Sequence, residues 1–153
     1  MRLFLIGMVT LVFLTAGCLS PIPLSKQTIP LNQPYVVQTS DYSFTAYVSQ
    51  IHVQENGTVV KLDLTVQNTG NQGTTLASLP ELIDPAGEEY EGTELFYSRF
   101  TGGHALTETD TIYLPPGTYD TLKQNAILHV RFQGADPLPF DAYWAIDFTK
   151  LPQ

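Results

Sequence analysis

The chain is poor in several residue types that particular classes of protein need. It contains one cysteine, so no disulfide can form within it, and seven basic residues against fifteen acidic ones. The net charge of −8 disfavours binding to nucleic acid and to anionic headgroups, because both need positive charge to neutralise phosphates. The longest apolar stretch, residues 3–14, is too short for a membrane-spanning helix, which needs about 20 apolar residues.

The N-terminus has the pattern of a secretory signal peptide. Arg2 supplies a positive charge, residues 3–14 supply the apolar region, and small residues follow in "LTAGC". This last stretch resembles the lipobox of prokaryotic lipoproteins, although Thr15 stands where that class most often has Leu. The resemblance implies that residues 1–17 are removed and that Cys18 carries lipid such as palmitate. The chain would then be anchored to the cell membrane or outer membrane, facing the extracytoplasmic side. The alternative is an ordinary signal peptide with Cys18 as an incidental thiol.

Residues 18–34 are predicted to form a Pro-rich tether. Prolines recur there without an apolar period, and such segments extend by about 3.1 Å per residue, which gives a reach of roughly 50 Å. The last few of these residues could instead pack along the domain. Both methionines, Met1 and Met8, lie in the signal peptide. The mature, acylated chain would therefore have no thioether and no free thiol, which argues against a copper carrier.

From residue 35 to residue 153 the chain has the pattern of one all-β domain. Short stretches of alternating apolar and polar residues are separated by turn residues, and no window has a clear period of 3.6 residues. The clearest stretch, "TVVKLDLTVQNTGNQG", places Val60, Leu62, Leu64 and Val66 on one face and ends in residues that favour turns. We therefore predict an antiparallel β-sandwich of about seven to nine strands, with this stretch as a wall of its core.

Two local features are predicted ahead of that stretch. The apolar phase changes between Val48 and Ile51, which indicates a β-bulge or a bend between sheets. The dipeptide Asn56-Gly57 then predicts a tight hairpin leading into the stretch.

Three motifs in this region resemble those of a known domain family. They are "VVKLDLTVQNTGNQ", "ELIDPAGEEY" and "LPPGTYDTLKQNAILHVRF", and the resemblance extends over residues 42–148. The family consists of immunoglobulin-like extracytoplasmic domains of unknown function, commonly on bacterial and archaeal lipoproteins and related in fold to a secreted mycobacterial immunoprotective antigen. The resemblance implies an immunoglobulin-like sandwich and brings no catalytic residues. Residues 95–111 and 119–124 depart from the family pattern.

An acidic cluster in the hairpin "ELIDPAGEEYEGTE" is a weak candidate for a metal site. It offers carboxylate oxygens and turning glycines, as calcium sites do, but not the spacing of a calcium-binding loop. The candidate ligands are Asp84, Glu88 and Glu89. A solvated hairpin tip is the simpler interpretation, and we expect no cofactor.

The three histidines are not predicted to form a site. His52 and His129 lie opposite the apolar positions of their strands, and His104 lies in a loop. They could hold a divalent metal only if the fold gathered them, and outward-pointing strand residues are more often plain surface. A hydrolase is also disfavoured, because the chain has no G-x-S-x-G motif and no carboxylate pair stands out.

Aromatic residues between positions 90 and 119 are the candidate contact residues. Long loops on a rigid β scaffold often carry recognition, and Tyr is favoured at interfaces. The candidates are Tyr90, Phe96, Tyr97, Phe100, Tyr113 and Tyr119. The alternative is that these rings cover one end of a small core.

Together these patterns predict a lipid-anchored extracytoplasmic module that binds a partner and is not an enzyme. The partner would be an extracytoplasmic protein or another envelope ligand, reached from the membrane through the tether. A calcium-stabilised adhesion domain is the alternative among binding proteins, and a small envelope hydrolase is the alternative of another class.

Overall fold

The computed structural model describes residues 27–38, 43–134 and 139–151. The predicted signal peptide, Cys18 and most of the tether lie outside these ranges. The described residues form ten strands and one short helix: β1 (Ile29–Pro30), β2 (Tyr35–Gln38), β3 (Ser43–Gln54), β4 (Val59–Asn68), β5 (Thr74–Ile83), β6 (Glu89–Glu91), β7 (Leu95–Phe100), β8 (Ala105–Tyr113), α1 (Thr118–Leu122), β9 (Ala126–Gly134) and β10 (Pro139–Ile146).

The strands form two sheets that pack face to face. Sheet A has the order β1-β10-β9-β5-β6, with β7 also paired to β5, and sheet B has the order β2-β3-β4-β8. All pairs are antiparallel except β1 with β10. The chain passes between the sheets after β1, β4, β7 and β8. The predicted immunoglobulin-like sandwich is therefore confirmed, with a strand count of ten that includes the two-residue β1 and the three-residue β6.

The core lies between the two sheets and is built by the period of two along each strand. On β4 the inward residues Val60, Leu62, Leu64 and Val66 are all at most 1% exposed, as their alternation predicts. Sheet A meets them with the inward side chains of β5, β9 and β10, among them Leu82, Leu128, Val130, Phe132, Ala142 and Trp144. Phe44 of sheet B contacts Phe132 of sheet A, with ring centroids 5.7 Å apart.

β4 ends at Asn68 because this side chain closes the turn that follows. Asn68 Nδ2 donates to the carbonyl oxygens of Gln72 at 2.8 Å and Phe100 at 2.9 Å, while Oδ1 accepts from the Gly70 N–H at 2.9 Å. Asn68 is 3% exposed, so these bonds replace water that the amide cannot reach. The end of β4 is thereby tied both to its turn and to the end of β7.

Both local predictions near β3 are confirmed. The β3–β4 register shifts between Val48 and Gln50, which is the expected bulge. Asn56 and Gly57 both have positive φ, at 57° and 87°, and turn the chain from β3 into β4. A side chain at Gly57 would also collide with Tyr119, whose Cβ lies 2.6 Å from the position of an added Cβ.

The end of the predicted tether belongs to the domain. Ile29 and Pro30 pair in parallel with Trp144 and Ala145 of β10. The Trp144 indole, which is fully buried, donates its N–H to the carbonyl oxygen of Gln33 at 3.0 Å. The last residues of the predicted tether therefore pack along the domain, which was the alternative given for them in the sequence analysis.

The helix α1 and the strand β8 were not predicted. Leu122 of α1 is fully buried, and Tyr119 packs edge to face on Phe148 with centroids 5.5 Å apart. Strand β8 pairs with β4 along its whole length. No helix in the described ranges has the length and apolar character needed to cross a membrane.

Candidate functional site

A group of charged and aromatic side chains lies on the outer face of sheet A, away from the core. It consists of Glu81 from β5, His129 and Arg131 from β9, and Asp141 and Tyr143 from β10, and we call it the ionic cluster. Strand register brings these residues together: Glu81 lies opposite His129, and His129 lies opposite Tyr143. Arg131 lies opposite Asp141 in the next outward row. Side chains alternate between the two faces of a strand, so the residues between the core positions of β5, β9 and β10 form this surface.

His129 is held between two carboxylates from its two neighbouring strands. Its Nδ1 contacts Glu81 Oε1, and its Nε2 lies 2.8 Å from Asp141 Oδ1. His129 is 5% exposed and Glu81 is 3% exposed, although both point away from the core. Arg131 adds a guanidinium nitrogen 3.9 Å from Glu81 Oε1. Buried charge is tolerated because each charged group has a partner.

Tyr143 covers the histidine. Its ring lies flat on His129, with centroids 4.4 Å apart and planes 10° from parallel. Burial raises the pKa of the Tyr143 phenol, and the negative charges of Asp141, Glu81 and Glu89 raise it further against an opposing effect of Arg131. The phenol is therefore neutral at physiological pH, and the ring acts as an apolar, hydrogen-bonding plate on the surface.

Both ring nitrogens of His129 are engaged by other members of the ionic cluster. A neutral imidazole has one donor and one acceptor nitrogen, and here both nitrogens face carboxylate oxygens. The ring would have to leave one of these contacts before it could take a proton from a substrate. What stays accessible at the rim is the Arg131 guanidinium and the Asp141 carboxylate, whose side chains are 42% and 44% exposed.

The interpretation of His129 as plain surface was wrong. The residue does point away from the core, as its strand phase predicts, but its neighbours bury it. The fold does not gather the three histidines: His52 is exposed on the outer face of sheet B, and His104 is exposed in the loop before β8. Within the described part of the chain, no group of three or more His, Cys, Asp or Glu side chains is placed to hold a metal ion.

The predicted aromatic residues do not form one surface. Phe100 is 1% exposed in the core, so its ring is not available to a partner, and this part of the prediction is wrong. Tyr90 and Tyr119 are half-buried against the core, whereas Tyr113 is 72% exposed on the edge strand β8. Phe96 and Tyr97 lie on β7. Partner binding by the residues other than Phe100 stays a prediction.

The acidic hairpin is organised by hydrogen bonds within its own turn. Asp84 Oδ1 accepts from the N–H groups of Ala86 at 2.8 Å and Glu88 at 2.9 Å. Glu88 and Glu89 are exposed to solvent. The Asp84 carboxylate thus has the role of an Asx turn, which explains its position in "DPAGEE" without a metal.

Comparisons with known proteins add resemblance in fold only. The chain matches no protein-family model and no curated protein. Among solved structures, the putative ApaA protein from Bordetella pertussis is 13% identical over 74% of this chain and 99% of its own, with a TM-score of 0.49. β-Glucosidase 3B from Thermotoga neapolitana is 13% identical over 69% of this chain, with a TM-score of 0.39. This chain spans 16% of that glucosidase's length. At such low identities and TM-scores, neither protein indicates what this chain does.

Proposed function

We propose that the protein is a lipid-anchored extracytoplasmic binding module without catalysis, and that its contact surface is the ionic cluster on sheet A. The observation that carries the proposal is the support beneath Tyr143 and Arg131. Tyr143 lies flat on a buried histidine, and Arg131 lies beside a buried glutamate. Tyr and Arg are the residue types that most often dominate binding energy at protein interfaces, together with Trp.

Preorganisation is the physical reason why this arrangement favours binding. A flexible side chain loses conformational freedom when a partner immobilises it, at a cost of about 0.5–1.5 kcal/mol for each rotamer-rich side chain. The stacking of Tyr143 on His129 and the ion pair of Arg131 with Glu81 restrict both contact residues before a partner arrives. The surface is also carried by three adjacent strands, so its parts keep fixed distances.

We propose that the protein is not an enzyme because its candidate acid and base groups contact one another. Glu81, His129 and Asp141 form the buried His–carboxylate arrangement that hydrolytic sites often contain, but they engage one another. We infer that the histidine supports the surface and does not process a substrate.

The anchor is proposed from the sequence at Cys18. The apolar region, the small residues before Cys18 and the prolines after it are those of an acylated chain on a tether. Ile29 and Pro30 are already part of sheet A, so the free tether would extend from residue 18 to about residue 27. The acidic surface would keep the domain away from anionic headgroups.

The contact surface can be located by site-specific photo-crosslinking in the native envelope. A crosslinking amino acid at Glu91 or Ala145 would lie on the outer face of sheet A and leave the ionic cluster intact. The matched controls are Gln67 and Thr107, which are exposed on the outer face of sheet B. We expect discrete crosslinked species from positions 91 and 145 and none from 67 and 107. Crosslinks from sheet B alone would refute the proposed surface.

A further inference from the structure

An uncharged apolar patch lies where the predicted tether enters the domain. It is formed by Leu31, Pro34, Val36 and Tyr47, and we call it the tether patch. Val36 and Tyr47 are 62% and 39% exposed on the outer face of sheet B. Val36 lies opposite Thr45, and Tyr47 follows Thr45 two residues along β3. Tyr47, Pro34 and Leu31 line one groove beside them. Contiguous exposed apolar surface marks a site of contact with a protein or a membrane.

The described residues include two other exposed large apolar side chains, and these two do not form a patch. Leu106 and Tyr113, 37% and 72% exposed, both lie on the edge strand β8. They are seven residues apart, which is about 23 Å along a strand and places them on opposite faces of it. They therefore supply a control for the tether patch on the opposite edge of the same sheet.

The charged residues lie away from the tether patch. Residues 27–38 and 43–54, which include β1, β2 and β3, contain no Asp, Glu, Lys or Arg. The residues of β4 opposite Thr45 and Tyr47 are the uncharged Gln67 and Thr65. At the other edge of the sandwich, where β6 and β8 contact each other, the acidic side chains include Glu89, Glu91 and Glu108. Anionic headgroups would therefore repel that edge and not the tether patch.

The tether decides which surface of the domain is held close to the lipid. Under the proposed anchor at Cys18, residues 19–27 join the lipid to β1 and can span about 30 Å. Leu31 follows β1 directly, so the tether patch lies beside the point of attachment. Tethering makes a contact with the bilayer intramolecular, and a short linker gives an effective concentration on the order of millimolar. A few apolar side chains that would bind lipid weakly in a free protein can then hold the domain.

We propose that the tether patch rests on the surface of the membrane that holds the anchor, with Tyr47 at the level of the headgroups. Tyrosine suits this position because its ring is apolar and its hydroxyl stays hydrated. The two sheets pack face to face, so contact through β2 and β3 would turn the outer face of sheet A away from the bilayer. This orientation rests on the proposed anchor, and it would present the ionic cluster to a partner.

The lipid contact can be measured with a fluorescent label on the acylated protein in vesicles. Acylation consumes the thiol of Cys18, so one added cysteine can be labelled with nitrobenzoxadiazole. Asn32→Cys places the label at the tether patch, and Ala86→Cys places it in the acidic hairpin; both positions are exposed. The vesicles contain phosphatidylethanolamine, phosphatidylglycerol and a nitroxide-labelled lipid as quencher. We expect strong quenching at position 32 and little at position 86, and equal quenching at the two positions would overturn the lipid contact.

Two pairs of substitutions test the side chains of the patch. Val36→Ser with Tyr47→Ser removes an aliphatic and an aromatic side chain from the tether patch. Leu106→Ser with Tyr113→Ser removes the same kinds of side chain from β8. We expect the first pair to lower the quenching at position 32 several-fold and the second pair to leave it unchanged, with both proteins folded in urea denaturation. Equal effects of the two pairs would overturn the role of the tether patch.

Flotation of the same vesicles separates the lipid contact from the anchor on which it rests. A wild-type chain that does not float with the vesicles would overturn the anchor and the lipid contact together. A chain that floats but is quenched equally at positions 32 and 86 would overturn the lipid contact alone. A photo-crosslinking amino acid at position 32 in the native envelope then tests the other occupant. Protein crosslinks there, together with an unquenched label, would assign the tether patch to a protein partner and overturn the lipid contact.

Discussion

At the scale of the residue, Asp110 shows most clearly how a buried acid can be tolerated. It points from β8 into the sandwich and is 0% exposed. Its Oδ1 accepts from the N–H groups of Thr93 and Thr111, whereas Oδ2 finds no hydrogen-bond partner among the described residues. Burial raises the pKa of the Asp110 carboxyl, and the hydrogen bonds from Thr93 and Thr111 oppose this only in part. The fold therefore favours the neutral carboxyl.

Asp110 should make the protein less stable as the pH rises. Its pKa is raised in the folded state, so its contribution to stability is complete below the unfolded pKa and is lost as the pH rises through the folded pKa. Asp110→Asn keeps an oxygen for both N–H groups and cannot ionise. We expect the stability of this variant relative to the wild type to increase from pH 4 to pH 7, measured by urea denaturation. Glu108→Gln is the control, and a difference that does not vary with pH would contradict the assignment.

Gly92 leaves room for the buried side chain of Asp110. A Cβ added there would lie 2.7 Å from Asp110 Oδ2, 2.9 Å from Ile112 Cγ1 and 3.0 Å from the Pro80 carbonyl oxygen. Gly92→Ala should therefore lower the free energy of unfolding by roughly 1–3 kcal/mol, the usual cost of overpacking. The control is Gly73→Ala, where the nearest atoms lie at 3.8 Å and 3.9 Å. Equal effects of the two substitutions in chemical denaturation would show that the site can relax.

At the scale of the element, strands differ in how far their sequences predict them. β4 lies inside sheet B between β3 and β8, so its inward residues from Val60 to Val66 are all apolar and their alternation with polar residues is plain. β8 lies at the edge, and only Asp110 and Ile112 of its nine residues are buried. Its Thr-rich sequence therefore lacks the apolar alternation that marks a strand. The helix α1 has five residues, too few for a period of 3.6 to repeat.

The end of β4 supplies the prediction at this scale. Asn68→Ala would remove three hydrogen bonds and leave the carbonyl oxygens of Gln72 and Phe100 without the amide that serves them. We expect the free energy of unfolding to fall by about 1–3 kcal/mol, because the three hydrogen bonds of a buried amide are lost. Gln67→Ala, at the exposed neighbouring position, should change the stability little. Equal stability of Asn68→Ala and the wild type in urea denaturation would contradict the role given to this side chain.

At the scale of the whole molecule, the sandwich could be predicted and the ionic cluster could not. The sandwich follows from the local alternation of apolar residues, which each strand carries by itself. The cluster joins Glu81 to His129, 48 residues away, and His129 to Asp141, 12 residues away. Only the register of β5, β9 and β10 brings them side by side, and one residue of slip would turn Glu81 into the core. No local pattern around His129 signals its burial.

The lipid anchor is the prediction that concerns the molecule in its cell. Cys18→Ser should abolish incorporation of a clickable palmitate analogue, because serine has no thiol to acylate. Ser20→Ala, two residues along the tether, should incorporate the analogue like the wild type. Equal labelling of Cys18→Ser and the wild type would show that the lipid is attached elsewhere.

The contact surface on sheet A is tested most directly by removing the Tyr143 ring and measuring crosslinking from position 145 in the native envelope. Tyr143→Ala should reduce the yield at least several-fold, as expected for a residue that dominates an interface. Tyr113→Ala, which removes a more exposed ring from sheet B, should leave the yield unchanged. Full crosslinking in Tyr143→Ala, or loss of crosslinking in Tyr113→Ala alone, would contradict a contact surface on sheet A.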